Sequence, residues 1–274
     1  MLVSIVIPAF NAEPTIARAV RSALAQTHRD LEVIIVSDDG RDYVALLSER
    51  SITDPRLRQL STGKNGSGCH RARNLGLRGT HGELVTHFDA DDVMRPEKIA
   101  RLLPLARHHG AAFDAVDVID DRDDSLLYTA LGGQTLVDLD GLFESATPLT
   151  PLVRRDCAIT RVDGIDLAED VVANLQLIDR LGPLPVVGEA LSEYRVVDGS
   201  MSHTADPAAR YDEHYGLILT MLPMIPLSPT TRPRAHQGFT AKRELNRAYG
   251  EARAKNTALT FQHYIAALRR GEHL

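Results

Sequence analysis

Three carboxylates, Asp89, Asp91 and Asp92, fall within four positions in the stretch His87–Asp92, which reads HFDADD. Like charges that close raise one another's pKa, so a folded chain tolerates them best where a cation neutralises them. A divalent metal with oxygen ligands is one reading. A solvated acidic turn ahead of the helix opened by Pro96 is the other, since acidic residues before a proline are an ordinary helix start. Two more acidic pairs bear on the choice. Asp38-Asp39 closes an apolar run and is followed by Gly40, and Glu169-Asp170 stands just before an apolar helical pattern. Taken alone, Asp170 is a helix-start carboxylate favoured by the macrodipole.

The elements around these residues decide where they lie. Val3–Pro8 (VSIVIP) and Glu32–Ser37 (EVIIVS) are short, β-branched, nearly continuous apolar runs, which suit strands buried on both faces of a parallel sheet. Between them Phe10–Glu13 is a polar loop, and Ile16, Ala19, Val20, Ala23 and Leu24 repeat at helical spacing after Pro14. Tyr43–Arg50 reads as a helix, Arg56–Leu60 as a weak strand, and Glu83–Phe88 as the strand that delivers HFDADD to the same edge as Asp38-Asp39. Ligands collect at the carboxyl edge of open α/β sheets, because the loops there are free while the strands hold them rigidly. The loop Gly63–Gly68 (GKNGSG) lacks the G-K-[ST] ending of a phosphate-binding P-loop, and the helix after it begins with Arg71, Arg73 and Asn74. A helix start with arginines can meet an anion, or be plain surface.

Beyond residue 110 a strand at Phe113–Ile119 and a return at Leu126–Thr129 make the sheet mixed rather than purely parallel. Thr147–Val153 reads as a loop entering a strand, and Pro185–Val187 and Leu191–Val197 as two short closing strands. His70 and His87 read as structural. From about Met201 prolines punctuate the chain, and Thr240–Arg270 has helical composition with amphipathic faces that need a partner surface. That tail is expected to be a helical cap or the contact of a homodimer.

The 274 residues suffice for a large core, and the 43% hydrophobic and 25% charged fractions are those of an ordinary globular protein. A net charge of −6 argues against a nucleic-acid partner. Two cysteines are too few for a disulfide framework, so a cytoplasmic location is expected. The first residues enter a strand without the pattern of a signal peptide, and no run nears the ~20 apolar residues of a membrane span. Peripheral membrane contact stays open.

Taken together, VSIVIPAFN at Val3–Asn11, Gln26-Thr27, VIIVSDDG at Val33–Gly40, the stretch Gly68–Leu77 ending ARNLGL, GELVTHFDADDVMRP at Gly82–Pro96, Glu169-Asp170 and YRVVDGSMS at Tyr194–Ser202 resemble the family 2 glycosyltransferases. The resemblance implies an α/β GT-A fold: a Rossmann-like, mixed but mostly parallel sheet flanked by helices, followed by a helical C-terminal extension. It divides the chain into a catalytic domain over 1–204, with a nucleotide-binding part (1–110) and an acceptor-binding part (111–204), and an extension over 205–274 without counterpart. By the same resemblance Pro8, Ala9, Phe10 and Asn11 line the nucleoside, Asp39 with Asp38 beside it meets the uracil, and Gly68 and Arg73 lie near the diphosphate or steady the acidic loop. Asp89, Ala90 and Asp91 form a DxD motif, with Asp89 nearer the ribose and Asp91 nearer the metal, while Asp92 is a second metal neighbour or an orienting group. Asp170 is implied as catalytic base and Glu169 as its companion toward the acceptor. Where many members carry a histidine this chain has Val197, and His203 is a candidate replacement as a metal ligand. Ser200 and Ser202 match serines that touch phosphate oxygens.

The implied activity is transfer of a sugar from a UDP-sugar to a hydroxyl of a glycan or small acceptor, with inversion, in bacterial surface glycan synthesis. A hard cation, Mn²⁺ or Mg²⁺, suits the dense negative charge of a diphosphate leaving group. A separate carboxylate must take the acceptor's proton. A nucleotidyltransferase of related fold would instead carry a glycine-rich basic signature after the first strand, where Pro8–Asn11 stands. A non-catalytic nucleotide-sugar-binding or assembly protein is the third reading.

Overall fold

The computed structural model describes residues 1–197 and 206–272. His203, Ser200 and Ser202 lie outside the described residues. Strand β1 (Val3–Ala9) forms the middle of a parallel group, pairing with β2 (Leu31–Ser37) in the register Val3↔Leu31 and with β4 (Leu84–His87) in the register Val3↔Leu84. Every residue of β2 is buried, as its unbroken apolar sequence requires, and each Val or Ile so placed stabilises the fold by about 1.5–3 kcal/mol. Outside β2 lies β3 (Leu57–Ser61), also parallel. Helices α1 (Ile16–Leu24), α2 (Tyr43–Glu49) and α3 (Cys69–Arg78) make the crossovers, and α1 buries Ile16, Ala19, Val20 and Ala23, the face that the sequence spacing picks out.

After β4 the chain makes a two-residue strand β5 (Val93–Met94), helix α4 (Lys98–His109) and the long, wholly buried β6 (Ala111–Asp120). Strand β7 (Ser125–Ala130) returns antiparallel to β6, as expected. Then come β8 (Leu136–Val137), α5 (Leu139–Glu144) and β9 (Leu152–Arg154), the last where Thr147–Val153 reads as a loop entering a strand. β9 joins the two halves of the sheet, running antiparallel to both β4 and β6. Helix α6 (Glu169–Leu181) leads into β10 (Leu184–Val196). The main path of the sheet runs β3-β2-β1-β4-β9-β6-β10-β5, a mixed sheet with its parallel pairs at β3-β2-β1-β4 and β6-β10.

Two expectations change. The two closing strands are one, β10, whose register against β6 shifts between Val187 and Ala190 and again between Ala190 and Ser192. Bulges keep a strand continuous through a break in its alternation. The tail helices also start earlier than Thr240: α7 spans Pro207–Met221, α8 spans Thr231–Lys255 and α9 spans Phe261–Arg269. Their apolar faces, with Ile218, Phe239, Tyr249 and Ile265, belong to the same core as Phe113, Val118 and Leu175. The cap therefore covers the second half of the protein itself.

At the start of α4, Lys98 is fully buried. Its Nζ lies 3.1 Å from Asp114, donates to Ser192 Oγ at 2.7 Å and to the Thr150 carbonyl at 3.1 Å, and so ties α4, β6 and β10 together.

Candidate active site

β1 and β2 end side by side, with Ala9 opposite Ser37, and this places the loop after β1 against Asp38-Asp39. Asp39 accepts from the Asn11 amide at 2.8 Å, the Tyr43 hydroxyl at 2.7 Å, the Ser37 hydroxyl at 3.1 Å and the Arg41 amide at 3.1 Å. Burial alone would raise its pKa, but these donors outweigh that and hold it below the usual carboxylate value. Asn11 sits at φ 50°, a left-handed conformation that asparagine tolerates, and this aims its amide at Asp39. Asp38 has a different task. Its carboxylate accepts from Thr62 Oγ1 at 2.7 Å, from Ser67 Oγ and from the Gly68 amide at 3.0 Å. It pins the glycine-rich loop, which lies over the exposed ring of Phe10 at Gly66.

The loop ends at Gly68, the residue before α3. At φ 104° it has a conformation that L side chains rarely adopt, and a Cβ there would lie 2.3 Å from Asp166 Oδ1. Behind it His70 bridges Asp163 and Asp166 at 2.8 Å each, fastening the 162–168 loop to α3. His70 is structural, as expected. His87 is buried on β4 with its pKa held well below the ordinary value, first by burial and then by Arg161 and Arg73.

At the end of β4, Asp89 accepts a short hydrogen bond from Arg73, and the other side of the same guanidinium donates to Glu169 at the start of α6. Arg161 pairs with the second oxygen of Glu169 at 2.8 Å. Arg73 thus joins the acidic loop to α6. Glu169 is buried between two arginines and pairs with both. Asp92 is also buried and accepts from the Arg195 amide at 3.0 Å, so it orients the loop against β10. The Asp91 carbonyl is held by Arg18 at 2.9 Å, and Arg18 and Arg195 share Asp121. Neither Arg18 nor Arg161 carries a motif signal, because each meets its partner only through the fold, whereas Arg195 lies in the YRVVDGSMS stretch.

Asp91 is pushed up to about 6, first by burial and then by the charge of Asp89. Among the described residues no group of three His, Cys, Asp or Glu side chains converges as a closed metal cage. Magnesium-type sites do not need one, since one or two carboxylates and substrate phosphates complete the shell. Asp89, already paired with Arg73, and the buried Asp91 supply hard oxygen donors of the kind a divalent cation takes.

Asp170 is likewise pushed up to about 6, by burial first and then by Glu169, with Arg73 opposing. It lines a cavity of about 820 Å³, counted with the open solvent at its mouth, together with Tyr194, Tyr211, Tyr215 and Lys242. Ala168, before α6, takes the left-handed conformation at φ 57° and turns the chain into the cavity wall.

The model of the family described as glycosyl transferase family 2 matches residues 4–161. The chain belongs to this family. As a family 2 glycosyltransferase it shares 37% identity over 119 residues with the succinoglycan biosynthesis protein ExoO of Rhizobium meliloti (strain 1021), covering 43% of this chain and 34% of ExoO. It shares 26% identity over 223 residues with the putative teichuronic acid biosynthesis glycosyltransferase TuaG of Bacillus subtilis (strain 168), covering 76% of this chain and 84% of TuaG. The segments matched in ExoO and two uncharacterized glycosyltransferases span only 34%, 43% and 26% of those relatives. Among solved structures, TarS of S. aureus in complex with UDP-GlcNAc superposes with a TM-score of 0.68 at 20% identity, over 97% of this chain and 79% of the TarS chain. The UDP complex of TarS gives 0.64 at 19% identity, over 88% and 71%. These likenesses give the GT-A fold. No helix among the described residues is long and apolar enough to cross a membrane.

Proposed function

We propose that this family 2 protein is an inverting, metal-dependent glycosyltransferase that moves a sugar from a UDP-sugar to an acceptor hydroxyl in bacterial surface glycan synthesis. The observation that carries the reading is the Arg73 bridge, which sets the DxD carboxylate Asp89 and the head of the Asp170 helix on one guanidinium. UDP and UDP-GlcNAc bound in the TarS structures, and the polysaccharide names of ExoO and TuaG, support the substrate class.

Residues 1–110 would hold the donor. Asp39, ionised and fixed by Asn11 and Tyr43, accepts from the uracil, and Phe10 covers the base from the loop after β1. Asp89 and Asp91 would hold Mn²⁺ or Mg²⁺, which neutralises the charge that develops on the departing diphosphate. Residues 111–204 place the acceptor. Asp170, opposite the donor edge, takes the proton of the acceptor hydroxyl as its oxygen attacks the anomeric carbon, and one displacement inverts the configuration. Glu169 holds Arg73 and Arg161 in place and serves the base through them. His203 as a further metal neighbour belongs to the same proposal.

A panel of UDP-sugars with Mn²⁺, followed by UDP release, tests it. Slow release from at least one donor, abolished by EDTA and by Asp91→Ala, is expected. No release from any donor would favour a non-catalytic binding protein.

A further inference from the structure

The cavity beside Asp170 is built from both parts of the molecule. One wall is the end of α5 with the loop after it and the head of α6, and the other comes from α7, α8 and α9. The tail is stitched to that loop by side chains. Lys242 Nζ on α8 donates to the Ser145 carbonyl at 2.7 Å, and Gln262 on α9 donates to the Ala146 carbonyl at 3.1 Å. The chain has seven tyrosines, six phenylalanines and no tryptophan, and five of these rings, Phe143, Tyr194, Tyr211, Tyr215 and Phe261, line this one cavity. An apolar, aromatic lining with a few convergent polar groups is the character of a small-molecule site.

Resting on the proposed glycosyltransferase reading, we infer that this cavity is the acceptor subsite, built in part by the C-terminal helices, and that it takes a neutral pyranose unit. A pyranose presents an apolar C–H face that stacks on Tyr or Phe and a rim of hydroxyls that hydrogen-bond to polar side chains. A rim hydroxyl then meets Asp170. The charges on the wall discriminate against an acidic sugar. Among the described residues Lys242 is the basic group of the lining, against the two carboxylates Asp170 and Glu144. Lys242 also has one donor spent on Ser145. A uronate would add a like charge to a wall already negative, and like-charge juxtaposition suppresses wrong partners. Lys242 is therefore a specificity-determining residue that keeps the wall closed and offers its remaining donors to hydroxyls.

The test is saturation-transfer NMR of methyl glucoside, methyl galactoside and methyl glucuronide on the full chain, with UDP calorimetry in Mn²⁺ alongside. A neutral glycoside should show transfer and the glucuronide at least tenfold weaker binding. Tyr211→Ala should abolish the neutral signal, Tyr211→Phe restore it, and Lys242→Met weaken it while UDP titration reports a folded protein. Absence of neutral-glycoside binding, equal or tighter binding of the glucuronide, or an undiminished signal in both Tyr211→Ala and Lys242→Met would overturn the inference. Failure of the wild-type chain to bind UDP strikes the donor reading instead, since the glycoside experiment needs no donor.

Discussion

Asp170 and Asp91 carry similar upward shifts, each from burial first and then from a neighbouring carboxylate, and experiment can separate them. Asp170 loses solvent at the head of α6 and feels Glu169. A base works only when deprotonated, and a raised pKa keeps the proton on to higher pH. Turnover should therefore fall about tenfold per pH unit below about 6 and level off above it. A profile flat down to pH 4.5 at saturating donor would remove Asp170 from the role. Asp91 feels the charge of Asp89 after burial, and a cation should relieve it. The placement was legible: Asp39 follows the end of β2, Asp89 and Asp91 follow β4, and Asp170 stands at the head of α6, as the apolar runs and helical pattern indicate. The roles within each pair were not. Asp38 and Asp39 are neighbours of one type, yet one pins the glycine-rich loop and the other stands at the loop after β1. Likewise Glu169 faces Arg73, a residue 96 positions away, a pairing that no local pattern announces.

The alternating strands and helices of the first half show in the sequence because parallel strands buried on both faces leave unbroken apolar runs. Strand β10 does not read as one strand because its register against β6 shifts around Gly188 and Glu189. Helix α7 hides behind Pro207, a residue that reads as a breaker but sits comfortably in a first helical turn. Lys98, an ordinary polar residue in the sequence, is the buried tie between α4, β6 and β10. Lys98→Met leaves Asp114 buried without its cation and should cost about 3–5 kcal/mol, lowering the melting temperature by roughly 10 °C in a thermal scan. A shift under 2 °C would mean the network contributes little. On α8, Gly238 packs on Phe143, where an added Cβ would come within 2.4 Å of the ring. Gly238→Ala should loosen the α5–α8 wall and lower the melting temperature, with UDP affinity kept. Unchanged melting would show that the ring moves aside freely.

For the molecule as a whole, the amphipathic tail that suggests a homodimer spends its apolar faces on the protein's own core. Ile218, Phe239, Tyr249 and Ile265 are all within 5% exposure, while Met224 at 72% and Leu217 at 38% stay outside. A monomer near 30.1 kDa is expected by light scattering, and a mass twice that would return the tail to the role of an interface. Truncation after residue 197 should expose the shared core and give insoluble protein, whereas a soluble, UDP-binding fragment would show the tail to be dispensable for folding. The proposed reaction divides its labour across the Arg73 bridge, with donor and cation on one side and proton transfer on the other. Its most direct test is Asp170→Asn, assayed for UDP affinity in Mn²⁺ and for turnover of the best UDP-sugar. UDP affinity within about threefold of wild type and turnover down by about 10²–10⁴ is the predicted result. Turnover near wild type, or loss of UDP binding along with activity, would contradict it.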